Sequence, residues 1–448
     1  MTVTATGYPA QLDRLPVTPL HCAIVILCAL GLTFDVIEAA LGYALSATFS
    51  SPPYQVAPYQ LSLLLGSIFA GGAIGSPLLG WLADRSGRRL ALGLSLLVLT
   101  VTSLLAAASP DVAWLTFFRV LSGMALGAYL PLMVAYLSDV LPAARRGMLI
   151  LLVGAIGFLG APAVVLLMRW LTPLQPFGLE GWRCALIIGA IGAAATGVAF
   201  RMLPESPRWL FAAGRVEAAI AVYNRFMRHA GCEPLRPDAQ LHARGPDVER
   251  ANFWFGAARA YRPRTALLCA LYFLSPWATV GFPLLSGAVL VAKGFRVTDS
   301  LLYLAVSLFG PSIGVLLGAA FIDRIERRTT LALSAAAMAV AGVWFATSNA
   351  PALLMAAGTA FNLVGAIYVG ALSIYGAELF PTALRATVSS TAWAVNRVIS
   401  ALVPLALLPL LKSAGPLAMT AVIAAALCAS AALVLAFGER GLSGKPVA

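Results

Sequence analysis

Charge is scarce in this chain: 11% of its 448 residues are Asp, Glu, Lys or Arg. A soluble protein of this length carries roughly 25%, so a surface that faces water on every side is excluded. Lysine is rarer still, with three residues, and the three histidines (21, 229 and 242) form no ligand pair. The six cysteines at 22, 28, 184, 232, 269 and 428 show no CxxC or zinc spacing. Five fall in or beside apolar stretches, where cysteine behaves as a small hydrophobe. No metal motif, nucleophile–base set or phosphate-binding glycine loop occurs, so neither an enzyme nor a cofactor or metal is expected. Without a nucleotide-binding loop, any uphill work must draw on a gradient.

What is abundant is apolar sequence. Hydrophobic residues make up 60% of the chain, and the mean hydropathy is +0.89. Runs of about 20 apolar residues match the ~30 Å hydrocarbon core of a bilayer. Twelve such runs occur, at about 21–45, 60–82, 90–108, 112–138, 148–170, 183–202, 264–290, 299–322, 329–347, 351–377, 386–411 and 416–437. The first follows a polar start and carries acids, unlike a removable signal peptide. An all-α membrane protein with twelve transmembrane helices is predicted. The net charge of +12 is not spread evenly. With both termini inside, 23 of the 30 Lys and Arg fall on the inner side, five on the outer side and two within spans. Without the long 203–263 segment and its flanking Arg201 and Arg264, the inner side still leads by 12 to five. That asymmetry sets orientation; it does not imply nucleic acid as a partner. Abundant Ala and Arg with few Lys suggest a high-GC bacterium, hence the inner membrane.

The chain repeats itself at an offset of 239 residues. "GWLADRSGRRLALGLS" (80–95) aligns with "AAFIDRIERRTTLALS" (319–334). Asp84, Arg85, Arg88 and Arg89 thereby match Asp323, Arg324, Arg327 and Arg328. The same register matches Asp139, Pro142 and Arg146 with Glu378, Pro381 and Arg385. Two pseudo-symmetric six-helix halves are expected, residues 1–202 and 264–448, joined by an Arg-rich linker at 203–263. The linker's apolar positions after Trp209 recur at helical spacing, which suits short helices at the inner interface.

These motifs resemble the major facilitator superfamily over the whole chain. "GWLADRSGRR" is similar to its loop between helices 2 and 3. "PESPRWL" (204–210) and "AELFPTALRATVSS" (377–390) resemble its sugar-porter and organic-ion branches, the latter including synaptic-vesicle-protein-like carriers. The resemblance implies alternating access between the halves. It also implies an inner gate in which Asp84 can pair with arginines of the same loop or of the opposite half; Arg85, Arg88, Arg89, Asp139, Arg146, Asp323, Arg324, Arg327, Arg328, Glu378 and Arg385 are counted in that gate. The alternative role for these arginines is to set topology and hold lipid headgroups. The second copy departs at one place, Glu326 for Gly87, so its turn is expected to differ.

Four ionisable residues lie inside spans: Asp35, Glu38, Arg119 and Arg397. Each costs roughly 2.5–3.5 kcal/mol at a helix centre, which marks it as a functional candidate. Asp35 and Glu38 share one face of helix 1. At 1.5 Å per residue Glu38 and Arg119 each lie about 10 Å from the outer ends of helices 1 and 4, and Asp35 about 15 Å. An acid–Arg119 pair across those helices is therefore expected. Such a carboxylate can take a proton outside and release it inside, and "FDVIE" is similar to the Asp-x-x-Asp of aromatic-acid symporters. The alternative is a fixed structural pair. Arg397 falls near the middle of helix 11, on one face with Trp393, Asn396 and Ser400. Its guanidinium can hold a carboxylate through two parallel hydrogen bonds; the alternative is a counter-ion for Asp35 or Glu38. Trp277, Ser312, Asn362 and Tyr368 are candidates to line the rest of a substrate site.

The expectation is a monomeric, proton-coupled symporter of a small organic, aromatic carboxylate. Sugar or polyol symport, drug/proton efflux and a non-transporting sensor are the competing readings. Helix 7, "ALYFLSPWATVGFPLLSGAVL", has no Gln, which speaks against a hexose.

Overall fold

The computed structural model describes residues 12–233, 261–321, 325–380 and 382–439. Those residues are almost wholly helical. Eleven helices are long and apolar enough to cross a membrane. Spans 1 to 6 are Pro19–Phe49, Pro58–Ser86, Arg88–Ala107, Val112–Val140, Ala143–Leu174 and Gly181–Met202. Spans 7 to 10 are Arg262–Ala292, Val297–Ala320, Arg327–Thr347 and Pro351–Gly376. The last stretch, Thr391–Phe437, has 47 residues, about 70 Å at 1.5 Å per residue and more than twice the ~30 Å core. Gly415 (φ 85, ψ 178) breaks it just before Pro416, so it crosses as spans 11 and 12. The chain therefore has the twelve-helix fold that its hydropathy predicts, with span boundaries shifted by several residues. Span 11 in particular reaches back to Thr382 as helix.

Local sequence sets several ends and breaks. Asp111 caps span 4 by accepting from the Trp114 amide at 2.9 Å. Span 5 is interrupted at Leu159, between Ala143–Phe158 and Gly160–Leu174. Span 7 is interrupted at Val280, four residues after Pro276. Such breaks free backbone groups where helices can bend.

Spans 1–6 pack on one another, as do spans 7–12; between these groups span 1 meets 7, span 2 meets 11 and span 5 meets 8. The tightest seam lies between spans 2 and 4. A Cβ at Gly71 or Gly75 would sit 1.9 Å from the carbonyl oxygen of Val120 or Met124. Only glycine permits that approach, and it fixes span 4, with Arg119, against its neighbours. After span 6 the linker forms two short helices, Pro207–Ala212 and Val216–His229. Most of its remainder, 234–260, lies outside the described residues.

Candidate functional site

The intramembrane charges separate into a sealed pair and two unpaired groups. Glu38 Oε1 lies 3.4 Å from Arg119 Nη1. Glu38 Oε2 accepts from Ser103 Oγ at 2.8 Å, and Arg119 Nη2 donates to the Glu38 carbonyl at 3.3 Å. Glu38 and Arg119 are 4% and 1% exposed, so the pair has no route to bulk water. Its charges cancel inside the first half, where removing one partner would strand the other.

Asp35 is one turn earlier and keeps contact with solvent. It has no hydrogen bond or ion pair among the described residues. It shares a helix face with Gly31 and Gly42. Gly31 packs under the Tyr129 hydroxyl of span 4, and Gly42 lies against Arg119 and against Leu284 of span 7. Asp35 is thus aimed at span 4 and the opposite half. The Tyr129 hydroxyl is buried with no partner among the described residues.

Arg397 of span 11 comes from the other side. Its guanidinium carbon lies 5.0 Å from the Trp393 ring centre, a cation–π distance. Trp393 in turn meets Tyr272 edge-on at 6.1 Å. Asn396 donates to Ser275 Oγ at 3.0 Å and fixes this face of span 11 to span 7. Arg397 Nη1 would lie 3.8 Å from a Cβ placed on Gly72 of span 2, so the side chain reaches across the boundary between halves. Asp35 and Tyr43 lie within its electrostatic reach. Arg397 has no hydrogen-bond partner among the described residues, and its Nε is buried. A half-buried guanidinium without an acceptor among the described residues is available to an incoming anion.

The other predicted lining residues divide. Trp277 is half-buried beside the break in span 7. The Ser312 hydroxyl is buried without a partner among the described residues. Asn362 spends its amide donor on the Gly358 carbonyl of its own helix at 3.0 Å. Tyr368 departs from expectation: it is fully buried and its hydroxyl meets Ser430 at 2.6 Å, joining span 10 to span 12 away from the other half.

At the mouth on the linker side the repeat pairs its charges in parallel. Arg88 meets Asp139, and the matching Arg327 lies 3.4 Å from Glu378. Arg89 donates to the Leu203 carbonyl at the end of span 6, and Arg328 to the Leu435 carbonyl at the end of span 12. The Tyr136 hydroxyl donates to Pro204, while the matching Tyr375 hydroxyl accepts from the Glu439 amide. Asp84 does not take up its expected pairing in this conformation. Its side chain is exposed and has no partner among the described residues; only its carbonyl is used, by Trp209 Nε1 at 3.0 Å. The working acid is Glu205 of "PESPRWL". Its Oε1 accepts from the Arg88, Arg89 and Ser206 amides at 3.0, 3.0 and 2.9 Å, placing a negative charge at the amino end of span 3. Arg85 stacks over Trp81 at 4.7 Å, and Arg146 pairs with Asp13. Asp323, Arg324 and the side chain of Arg385 lie outside the described residues.

Among the described residues, none of these linker-side ion pairs joins the two halves. Bonds between halves occur at the opposite mouth: Ser62 Oγ to the Pro404 carbonyl at 3.0 Å, and Arg169 Nε to the Thr298 carbonyl at 3.1 Å. There Gly66 lets span 2 lie on the Ala401 carbonyl, 2.4 Å from where a Cβ would stand. The far mouth is therefore the closed one.

Sequence reading missed Ser103, Tyr129, Gly72 and Glu205. The polar run "TVTS" in span 3 was the available signal for Ser103; nothing local distinguishes Gly72 from its neighbours.

A family model described as "Sugar (and other) transporter" matches residues 22–439. The chain is 26% identical to the niacin transporter NiaP of Acinetobacter baylyi, over 87% of each chain. It is 25% identical to the arabinose-proton symporter of Bacillus subtilis, over 89% of each. The xylose transporter XylE of Escherichia coli, in a partially occluded inward-open form, superposes with a TM-score of 0.76 at 17% identity, covering 95% of this chain and 99% of that one. By its twelve-span architecture, its repeated loop motifs and a family match that spans both halves, this chain belongs to the sugar (and other) transporter family of the major facilitator superfamily.

Proposed function

We propose that the protein imports a small aromatic carboxylate together with a proton, by alternating access of residues 1–202 and 264–448 about the linker. The observation that carries this reading is Arg397, an unpartnered guanidinium stacked on Trp393 and reaching across the half boundary. A carboxylate fits its paired donors, and an aromatic ring fits beside Trp393 and Tyr272, with Asn396, Trp277, Ser312 and Asn362 completing the lining. That one relative is named for niacin, a pyridine carboxylate, supports the same class. Asp35 is the group we assign to proton transfer, because it is accessible and unpaired. Glu38 and Arg119 form the fixed pair behind it. A relative named as a proton symporter supports the coupling. Arg88–Asp139 and Arg327–Glu378 brace the linker-side gate, and the excess of arginine on that side supports placing it, with both termini, in the cytoplasm.

Sugar or polyol symport is the second reading, favoured by the relative named for arabinose. It would need several free amide side chains in the site, and here the Asn362 and Asn396 donors are spent on the Gly358 carbonyl and on Ser275 Oγ.

Proteoliposome uptake of labelled benzoate, nicotinate and arabinose, with and without an inward proton gradient, separates the readings. Acid-stimulated accumulation of the carboxylates over arabinose is expected. Asp35→Asn should keep carboxylate exchange while losing gradient-driven accumulation. Import indifferent to the gradient removes the coupling assignment, and preference for arabinose removes the carboxylate.

A further inference from the structure

Spans 3 and 6 enclose a groove on the outer flank of the first half, remote from Arg397. Its volume is about 610 Å³, and Gly93, Leu97 and Gly197 line its apolar length. Leu90, Leu97 and Val198 are 47%, 53% and 62% exposed, so this flank faces the surroundings of the bundle. Polar character is confined to the linker-side end, where Arg89 and Arg201 form the mouth. Arg201 is exposed, and its guanidinium has no partner among the described residues. Arg225 of the linker helix donates to the Met202 carbonyl at 3.1 Å, which brings a third cation beside the other two.

We propose that this groove binds an anionic phospholipid of the linker-side leaflet. One acyl chain lies along Gly93 and Gly197, and the phosphate is held by Arg201 with Arg89 and Arg225. The division is what a phospholipid requires: an apolar trough at hydrocarbon depth that ends at cations at headgroup depth. A neutral lipid would leave the Arg201 guanidinium unanswered, and a free anion would leave the trough unfilled. Gly93 is the position that opens the trough, since a Cβ there would meet nothing closer than 4.0 Å. The occupant would brace span 3, and through it the Arg88 and Arg89 loop, against the end of span 6.

The test uses the full-length protein purified in detergent. Melting temperature and lipid retention in native mass spectrometry are read with added phosphatidylglycerol, phosphatidylcholine or glycerol phosphate. Phosphatidylglycerol alone should stabilise and be retained. Gly93→Leu, whose side chain would occupy the trough, should abolish that response. Arg201→Gln should weaken retention about fivefold, the effect of one cation near a charged headgroup. Equal stabilisation by phosphatidylcholine would reduce the groove to nonspecific lipid contact. Equal stabilisation by glycerol phosphate would reduce it to a surface anion site. A response unchanged in both variants would place the lipid elsewhere. Each of these three results overturns the proposal.

Discussion

The two halves share their loop charges and differ in their membrane charges. At the linker-side mouth Arg88–Asp139 and Arg327–Glu378 occupy matching positions, as do Arg89 with Arg328 and Tyr136 with Tyr375. Inside the bundle nothing is matched. Span 7, the counterpart of span 1, has no acid, and span 10, the counterpart of span 4, has no arginine within its length. Arg397 likewise has no counterpart at mid-depth in span 5. Duplicated charges are what a symmetric hinge needs, because both halves must dock on the same side. Unduplicated charges suit a directional site, and the proposed function uses them so: acids from one half and an arginine from the other.

The sharpest break of this contrast is Arg119→Ala. It leaves the Glu38 carboxylate buried and unpaired, a loss of about 3–5 kcal/mol. The purified variant should be almost wholly unfolded or absent from the membrane fraction, whereas Gly370→Ala in span 10, where a Cβ meets nothing within 4 Å, should not. A response to Arg119→Ala no larger than that of a surface mutant would show that water reaches the pair.

Next comes the turn between spans 2 and 3. Gly87 has φ 108, and a Cβ there would stand 2.4 Å from Glu205 Oε2. The matching residue, Glu326, has φ −57 and needs no such freedom. Gly87→Ala should therefore cost about 1–3 kcal/mol, and Glu326→Ala under about 1 kcal/mol, compared by thermal melting. Equal losses would mean that the two turns are interchangeable.

The smallest expected effect is Glu205→Gln, which keeps the acceptor oxygen but removes the charge at the amino end of span 3. A drop of about 1 kcal/mol is expected, and it should shrink when Asp139 is also neutralised, because both acids hold the Arg88 loop.

How much of this was legible in the sequence follows the same division. Hydropathy alone reveals twelve crossings, and the 239-residue register matches Arg88 with Arg327 and Asp139 with Glu378; that each arginine meets the acid of its own half is visible only in the fold. The face shared by Trp393, Asn396 and Arg397 was also readable, since helical periodicity is local. The different surroundings of Asp35 and Glu38 were not, because Glu38 is held by Ser103 from span 3, a contact across 65 residues. Asp84 has several arginines within a few residues of the motif, and none among the described residues holds it in this conformation. The partner that decides the geometry, Glu205, arrives from beyond span 6. Tyr368 failed for a related reason: a polar aromatic at mid-span can face a site or a neighbouring helix, and Ser430 determines which.

The central claim is that Arg397 supplies the anion site that the symmetric frame lacks, and equilibrium binding of benzoate to the purified protein tests it most directly. Losing the hydrogen-bonded charge partner of a bound carboxylate costs about 2–5 kcal/mol, so Arg397→Ala should weaken binding at least about thirtyfold. Arg397→Lys should fall between that variant and the unmodified protein. Benzoate affinity unchanged by Arg397→Ala would contradict the account.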